Sequence, residues 1–189
     1  GVERGKMDEA AFWARLSAGA DNVTVSMERE FRELARLFQG DEHLRRRVRD
    51  HGPEAALDRL PDRFRSCFNA FMSRYGSRAR HRTLLVKRWH EAPAEVLGLL
   101  AQAAGREGSD LQEGQPWRRS GKGASLRHPL FALARTYLDL REELRFSLDQ
   151  VLAILRQRLL ELGQHFGLEH RVFYLTREEI GKLVQARMD

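Results

Sequence analysis

The chain has 189 residues, of which 42% are hydrophobic and 32% are charged, so it suits one globular domain with a substantial core. Its 33 basic and 27 acidic residues leave a net charge of +6, which admits nucleic acid as a partner, although the two signs are interleaved as on a solvated helical surface. The single cysteine, Cys67, excludes a disulfide framework and a cysteine-based zinc site. No apolar run approaches the roughly 18 residues of a membrane span. We therefore expect a cytoplasmic protein with no membrane attachment.

Short helices are predicted along the first quarter of the chain. The first covers residues 8–17, and Ser26 caps a second, whose apolar residues share one face until Gly40 ends it. Asp41 begins a third helix, which carries the basic cluster Arg45–Arg49. This cluster is the best local candidate for phosphate contacts, and a solvated charged face is the alternative.

An aromatic stripe marks the next helix. Between Asp62 and Gly76, apolar side chains recur at helical spacing at Phe64, Cys67, Phe68, Phe71, Met72 and Tyr75. In this stripe Cys67 is predicted to be a small buried hydrophobe rather than a nucleophile. Residues 77–92 are irregular and polar, and Pro93 opens a further helix.

Residues 105–129 are predicted to form a mobile loop, because they contain five glycines and two prolines without hydrophobic periodicity. The letters SGKGAS within this loop resemble a phosphate-binding loop only superficially. The glycine that should stand four residues before the Gly-Lys pair is missing, and no strand precedes the loop.

The stretch 130–166 is predicted to be one long helix around which the other helices are arranged. It has no proline, and at roughly 1.5 Å per residue it makes a rod on the order of 55 Å long. We expect other helices to lie against its main apolar stripe, which is formed by Leu130, Leu133, Ala134, Tyr137, Leu144, Leu148, Val151, Leu152, Leu155, Leu159, Leu162 and Phe166. A second, weaker strip (Phe146, Ala153, Leu160) indicates contact on two sides, or the border of a missing domain.

One charged residue, Arg141, interrupts the main stripe near its centre, and Arg145 falls at its edge. An arginine at this position must be paired with a carboxylate or an anion, or reach out of the core, because an unpaired buried charge is very costly. One interpretation is therefore a structural ion pair with an acid on a neighbouring helix. The other is a cleft in which the guanidinium meets an anionic or polar ligand.

The C-terminal part completes an all-α fold. Thr176 and Glu179 form a capping box, and a last helix follows to about Arg187. No alternating strand pattern of useful length occurs anywhere, so we predict a single all-α, multi-helix domain over residues 1–189.

The seven histidines are scattered, and neither a nucleophile elbow nor a dinucleotide-binding glycine pattern is present. The residues alone therefore indicate a soluble helical domain, and an arginine-lined cleft is one of the two interpretations of Arg141.

Several short segments resemble a known family in their order and spacing. They are Tyr75-Gly76-Ser77-Arg78, Arg88-Trp89-His90-Glu91-Ala92-Pro93, Arg141-Glu142-Glu143-Leu144-Arg145, Leu155-Arg156, Leu162-Gly163, and Val172-Phe173-Tyr174-Leu175-Thr176-Arg177-Glu178-Glu179. These segments are similar to "YGHRG…PRWxExP", "RExxK/R" and "DVFYLTxxEL" of the phosphoenolpyruvate-utilising phosphotransferases. That family includes phosphoenolpyruvate synthase-like proteins and rifampicin phosphotransferase.

The resemblance implies a helical domain that binds the acceptor substrate or serves as a scaffold. In such enzymes it lies between an ATP-grasp domain and a swivelling domain whose histidine carries the phosphoryl group. The implied substrate-binding residues are Arg141, Arg145, Glu142, Arg78 and His81. The implied partners are a small-molecule acceptor and the two other domains, in cis or in trans.

The resemblance also limits what this chain does alone. The glycine-rich phosphohistidine motif and the nucleotide-binding domain are absent from the sequence, so ATP and Mg are implied for a longer parent enzyme and no cofactor for this chain. We expect the chain by itself to be inactive and to be a fragment or relic of that enzyme. The sequence departs from the family at Ser77, where a histidine is usual, and at Arg171, where an acid is usual.

Two other functions remain open from the residues. A basic helical module would bind nucleic acid through Arg45–Arg49 and the arginines of residues 105–129, with an affinity that falls steeply with salt. A helical interaction domain would instead dock a partner chain on the second strip of the long helix.

Overall fold

The computed structural model describes residues 22–106 and 129–186, and these residues confirm the predicted all-α fold. They form six α-helices, two short 3₁₀ helices and no strand. The α-helices are α1 (Val23–Gly40), α2 (Glu42–Leu57), α3 (Asp62–Tyr75), α4 (Pro93–Arg106), α5 (Pro129–His165) and α6 (Arg177–Gln185). The 3₁₀ helices are Trp89–Glu91 and Glu169–Tyr174. The helix predicted at residues 8–17 and nearly all of the loop predicted at 105–129 lie outside the described residues.

The first four helices enclose the hydrophobic core. Its buried members are Leu34, Ala35, Phe38, Leu44, Ala56, Leu60, Phe64, Phe68, Phe71, Tyr75, Val96, Leu97, Leu100 and Ala104. The aromatic stripe of α3 supplies the centre of this cluster, where the rings of Phe64 and Phe68 stack with centroids 5.9 Å apart. Aromatic side chains bury large apolar areas, so this stripe holds the bundle together.

The predicted helix ends of this bundle are mostly confirmed. Asp41 caps α2 by accepting a hydrogen bond from the backbone N–H of Leu44. Gly52 has a positive φ of 81°, which lets the chain turn before the helix resumes at Pro53. The cap predicted for α1 is wrong: Asn22, not Ser26, accepts hydrogen bonds from the first turn, so α1 begins earlier.

The prediction that Cys67 is buried is also wrong, because Cys67 is exposed. The buried face of α3 follows Phe64, Phe68, Phe71 and Tyr75, which lie close to one line along the helix. Cys67 lies about 60° to one side of that line at 100° per residue. The buried stripe is therefore narrower than the run of apolar residues in the sequence.

The long helix α5 is confirmed in length, but its orientation differs from the prediction. Residues of the main apolar stripe are exposed, with Leu133 at 66%, Tyr137 at 65% and Leu144 at 71% of their full accessibility. The opposite face packs against the rest of the chain, and Asp149 and Arg156 on that face are buried. The prediction that helices cover the main stripe is therefore wrong for the described residues.

Polar contacts hold the packed face of α5 in place. The Nε group of Arg156 donates to both carboxylate oxygens of Glu91, at 2.8 and 3.0 Å, and its guanidinium also binds the carbonyl of Leu84. Asp149 accepts from Arg82 at 3.0 Å. Both partners of α5 come from the irregular segment 77–92. The buried arginine and the buried acid of α5 each need an opposite charge nearby, because an unpaired buried charge is very costly.

The segment after α5 folds back on its last turns. The second 3₁₀ helix buries Val172 and places the ring of Phe173 4.8 Å from the guanidinium carbon of Arg156. This return brings the carbonyl of Glu169 close to Gly163, where an added Cβ would lie 2.3 Å from that oxygen. The predicted capping box at Thr176 and Glu179 then starts α6.

Among the described residues, no helix combines the length and the apolar character that crossing a bilayer requires.

Replacing Gly163 by alanine is expected to lower the free energy of unfolding by about 1–3 kcal/mol, because the new methyl group collides with backbone. Gly181 in α6 is the matched control, since an added Cβ there meets nothing within 4 Å. Gly181→Ala should instead raise stability by up to about 1 kcal/mol. Urea unfolding of both variants checks this, and equal effects would refute the close approach at Gly163.

Acidic pH should weaken the anchoring of α5 through Glu91. Burial raises the pKa of Glu91, but hydrogen bonds from Arg156 and from the Arg88 backbone outweigh it, and the net pKa lies below the usual value. The stabilisation is therefore complete above the unfolded pKa of about 4.3 and is lost as pH falls through the lower folded pKa.

The Glu91→Gln variant lacks this titration, so its stability deficit should be large at pH 7 and should shrink toward acidic pH. At pH 7 the loss is expected to be about 3–5 kcal/mol, because Arg156 is left buried without a counter-ion. Glu161→Gln is the control, since Glu161 pairs with Arg158 on the surface of the same helix. A deficit for Glu91→Gln that does not change with pH would contradict the assignment.

Candidate functional site

One hydroxyl group at the start of α1 connects the two segments that the sequence singled out. Oγ1 of Thr24 donates to Oε2 of Glu142 on α5 at 3.0 Å and accepts from the Nη2 group of Arg78 at 3.2 Å. Arg78 follows α3 directly and Glu142 lies more than 60 residues later. The contact therefore brings α1, α5 and the end of α3 to one place.

Glu142 in turn holds two arginines of its own helix. Arg141 donates to Oε1 of Glu142 at 3.0 Å, and Arg145 donates to the same oxygen at 3.3 Å. The carboxylate is 15% exposed, whereas the two arginine side chains are 49% and 45% exposed. The carboxylate is thus held inside while the guanidinium groups face outward, where a ligand can reach them.

Arg141 pairs with its sequence neighbour and not with an acid on another helix. The predicted burial of Arg141 in an apolar core does not occur, since Leu140 and Leu144 beside it are exposed as well. Its predicted role in substrate binding is a separate matter and stays a prediction.

Burial and the neighbouring charged groups shift the pKa values of two residues in this cluster. Burial raises the pKa of Glu142, but hydrogen bonds from Thr24 and Arg141 and the charge of Arg145 outweigh burial and hold that pKa below the usual value. Burial lowers the pKa of Arg78, while Asp149 and Glu142 act against that shift. Arg141 and Arg145 share the one carboxylate of Glu142, so this pair of arginines carries an excess of positive charge, which suits an anionic or oxygen-rich ligand.

The position of Arg78 is fixed by the chain on both sides of it. The backbone N–H of Trp89 donates to the carbonyl of Arg78 at 2.8 Å, which ties the two ends of the irregular segment together. The Arg78 guanidinium carbon lies 5.9 Å from the ring centroid of Phe146 on α5. Gly76 is needed for this turn, because an added Cβ would lie 2.3 Å from the Met72 carbonyl oxygen.

A cleft of about 400 Å³ adjoins the cluster. It lies between α1, α3 and α5 and is lined by Asn22, Val23, Ser26, Arg29, Glu30, Arg74, Tyr75, Glu143 and Phe146. Its volume falls in the range of about 300–1,000 Å³ that is typical of small-molecule sites. Glu30 accepts hydrogen bonds from Tyr75, at 3.0 Å, and from Arg74, so the polar groups on this wall are already ordered.

Four of the five predicted site residues meet in the cluster, and His81 does not. Arg78, Arg141, Glu142 and Arg145 are joined through Thr24, whereas no hydrogen bond or ion pair links the exposed His81 to them.

Two residues of the site were not predicted from the sequence. Thr24 was not recognised, and neither was Asn22, whose side chain donates to Asp139 on α5 at 3.0 Å. Two polar residues just before an amphipathic helix indicate a cap, which explains Asn22, but nothing local indicates the contacts of Thr24 with α5.

The basic cluster Arg45–Arg49 is engaged within the chain in part. Arg46 forms an ion pair with Glu42 one turn earlier, and Arg47 donates to the carbonyl of Arg59. These contacts do not favour the nucleic-acid interpretation of the cluster. In the described ranges 22–106 and 129–186, no group of three or more potential ligand side chains is arranged to hold a metal ion.

A family described as the rifampicin phosphotransferase fourth domain matches residues 2–159. No curated protein and no solved structure gave a significant match.

Removing the Thr24 hydroxyl is expected to raise the pKa of Glu142, because the carboxylate loses a hydrogen bond that favours its charged form. Thr24→Val keeps the shape of the side chain, and Thr24→Ser keeps the hydroxyl as a control. Carbon-13 NMR titration of the Glu142 carboxyl group measures the shift. If Val and Ser variants titrate alike, Thr24 does not order the cluster.

Proposed function

The chain belongs to the rifampicin phosphotransferase fourth-domain family, and we propose that it is the domain that binds the acceptor substrate of such a phosphotransferase. An ATP-grasp domain and a phosphohistidine domain, in cis or in trans, would supply the phosphoryl group with ATP and Mg. The acceptor is a small molecule that presents an anionic or oxygen-bearing group to the arginines.

The observation that carries this proposal is the double hydrogen bond of Thr24. Two sequence segments typical of the phosphotransferase family, one with Arg78 and one with Arg141 to Arg145, meet at this single hydroxyl. Apolar packing alone does not explain why these arginines lie together, since the side chains of Arg141 and Arg145 remain about half exposed.

The chemistry of phosphoryl transfer fits such a cluster. The transferred group passes through a loose transition state in which negative charge is spread over its oxygens, so catalysis depends on positioning and on charge neutralisation. Arg141 and Arg145 are placed to bind the acceptor's oxygen-bearing end, and Glu142 orients both of them. The remainder of the acceptor then lies in the adjoining cleft, where Val23 and Phe146 stand beside polar and charged side chains.

Binding of rifampicin to the purified chain, followed by tryptophan fluorescence, tests this proposal. Arg141→Ala should weaken binding by about tenfold to a hundredfold, because a hydrogen bond from a charged group contributes about 1.5–3 kcal/mol. Arg145→Ala should act in the same direction.

Arg158→Ala is the matched control. Arg158 is an exposed arginine of the same helix with its own acid, Glu161, three residues away at 2.8 Å. It lies outside the cluster, so its loss should leave binding unchanged while removing the same charge. Equal affinities of the Arg141 and Arg158 variants, or no binding of rifampicin at all, would contradict the proposal.

A further inference from the structure

The face of α5 that points away from the bundle carries eight exposed large hydrophobic side chains. We call this face the α5 seam, and its apolar members are Leu133, Tyr137, Leu140, Leu144, Leu148, Val151, Ile154 and Leu155. Their exposures range from 44% to 71%. Contiguous apolar surface of this kind is rare on a monomeric protein and marks a contact with another molecule or segment.

The spacing of the α5 seam is that of a coiled coil. Steps of four and three residues alternate from Leu133 through Tyr137, Leu140 and Leu144 to Ser147, Val151 and Ile154. These are the a and d positions of three consecutive heptads, and only Ser147 is polar. Such a seam fits one kind of surface well, namely another long helix with the same repeat.

We propose that the α5 seam pairs with the α5 seam of a second copy of this chain, with the two helices antiparallel. The apolar residues of the seam are not among the residues of the acceptor cluster, although Arg141 lies beside Leu140 and Leu144. Substitutions of seam residues therefore test the dimer, and substitutions of the arginines test the acceptor site.

The length of the seam favours a second copy over a segment of the same chain. From residue 133 to residue 155 the seam spans about 33 Å at 1.5 Å per residue. The other α-helices of the described residues have at most 18 residues, which corresponds to about 27 Å. Among the helices of residues 22–106 and 129–186, α5 alone has an apolar stripe of this length and repeat, so the α5 of a second copy fits the seam.

The size of the seam is also sufficient for a dimer. Eight large side chains at these exposures present on the order of 800 Å² of surface, which is about what each partner buries in an interface of standard size. When the same patch of both subunits forms the interface, the dimer has two-fold symmetry and both seams are covered.

Charge decides the direction of the two helices. The heptad continues to Arg158 at an a position, so parallel helices would place two arginines opposite each other. In the antiparallel arrangement Arg158 lies at the end of the seam beside Leu133 of the second copy, where its charge reaches solvent. The same register sets Tyr137 beside Ile154 of the second copy, and Leu144 beside the small Ser147.

Sedimentation equilibrium of the full chain tests the dimer. The wild-type chain should sediment as a dimer at micromolar concentration, and Leu144→Glu should weaken dimerisation by about a hundredfold or more, because two charges are buried at the centre of the seam. The variant should keep its helical circular dichroism, since Leu144 is 71% exposed in the described structure. Leu99→Glu on α4 is the control, as Leu99 is exposed elsewhere and should leave the dimer intact.

Disulfide formation tests the direction. In a Cys67→Ser background, chains with Tyr137→Cys and chains with Ile154→Cys should cross-link to each other on oxidation, but neither should cross-link to itself. Self cross-linking of the Tyr137→Cys chain would overturn the antiparallel arrangement. A wild-type monomer at all concentrations, or a dimer unaffected by Leu144→Glu, would overturn the pairing itself.

Discussion

Two ion pairs, each with one buried partner on α5, determine how the long helix packs on the rest of the protein. Arg156 binds Glu91, and Arg82 binds Asp149, so the packed face of α5 is held largely by charges. Removing one partner of such a pair leaves a charge buried without compensation, which is far more costly than losing a surface ion pair. The anchoring therefore specifies one rotation of α5 about its axis and excludes the rotation that would bury its apolar stripe.

This rotation has two consequences for function. The irregular segment that supplies Glu91 and Arg82 also carries Arg78, so anchoring α5 delivers Arg78 to Thr24 and Glu142 and assembles the arginine cluster. The apolar stripe on the other side of the helix is left facing outward, where it is free to meet another helix. One set of polar contacts thus positions both the candidate acceptor site and the proposed dimer interface.

The sequence predicted the elements of the fold better than their arrangement. Helix periodicity located α3, α4 and α5, and the resemblance to phosphotransferases selected Arg78, Arg141, Glu142 and Arg145, which the structure brings together. The burial of α5 was predicted on the wrong face, because hydrophobic periodicity cannot show that Asp149 and Arg156 find counter-charges more than 60 residues away. Thr24 was missed for the same reason.

A double-mutant cycle on Glu91→Gln and Arg156→Met most directly tests whether this ion pair fixes the long helix. The free energies of unfolding of the wild type, both single variants and the double variant give the coupling between the two side chains. A coupling free energy above about 1 kcal/mol is expected, with the double variant more stable than the sum of the single losses implies. Additivity within about 0.5 kcal/mol would contradict a direct buried contact and, with it, the rotation of α5 described above.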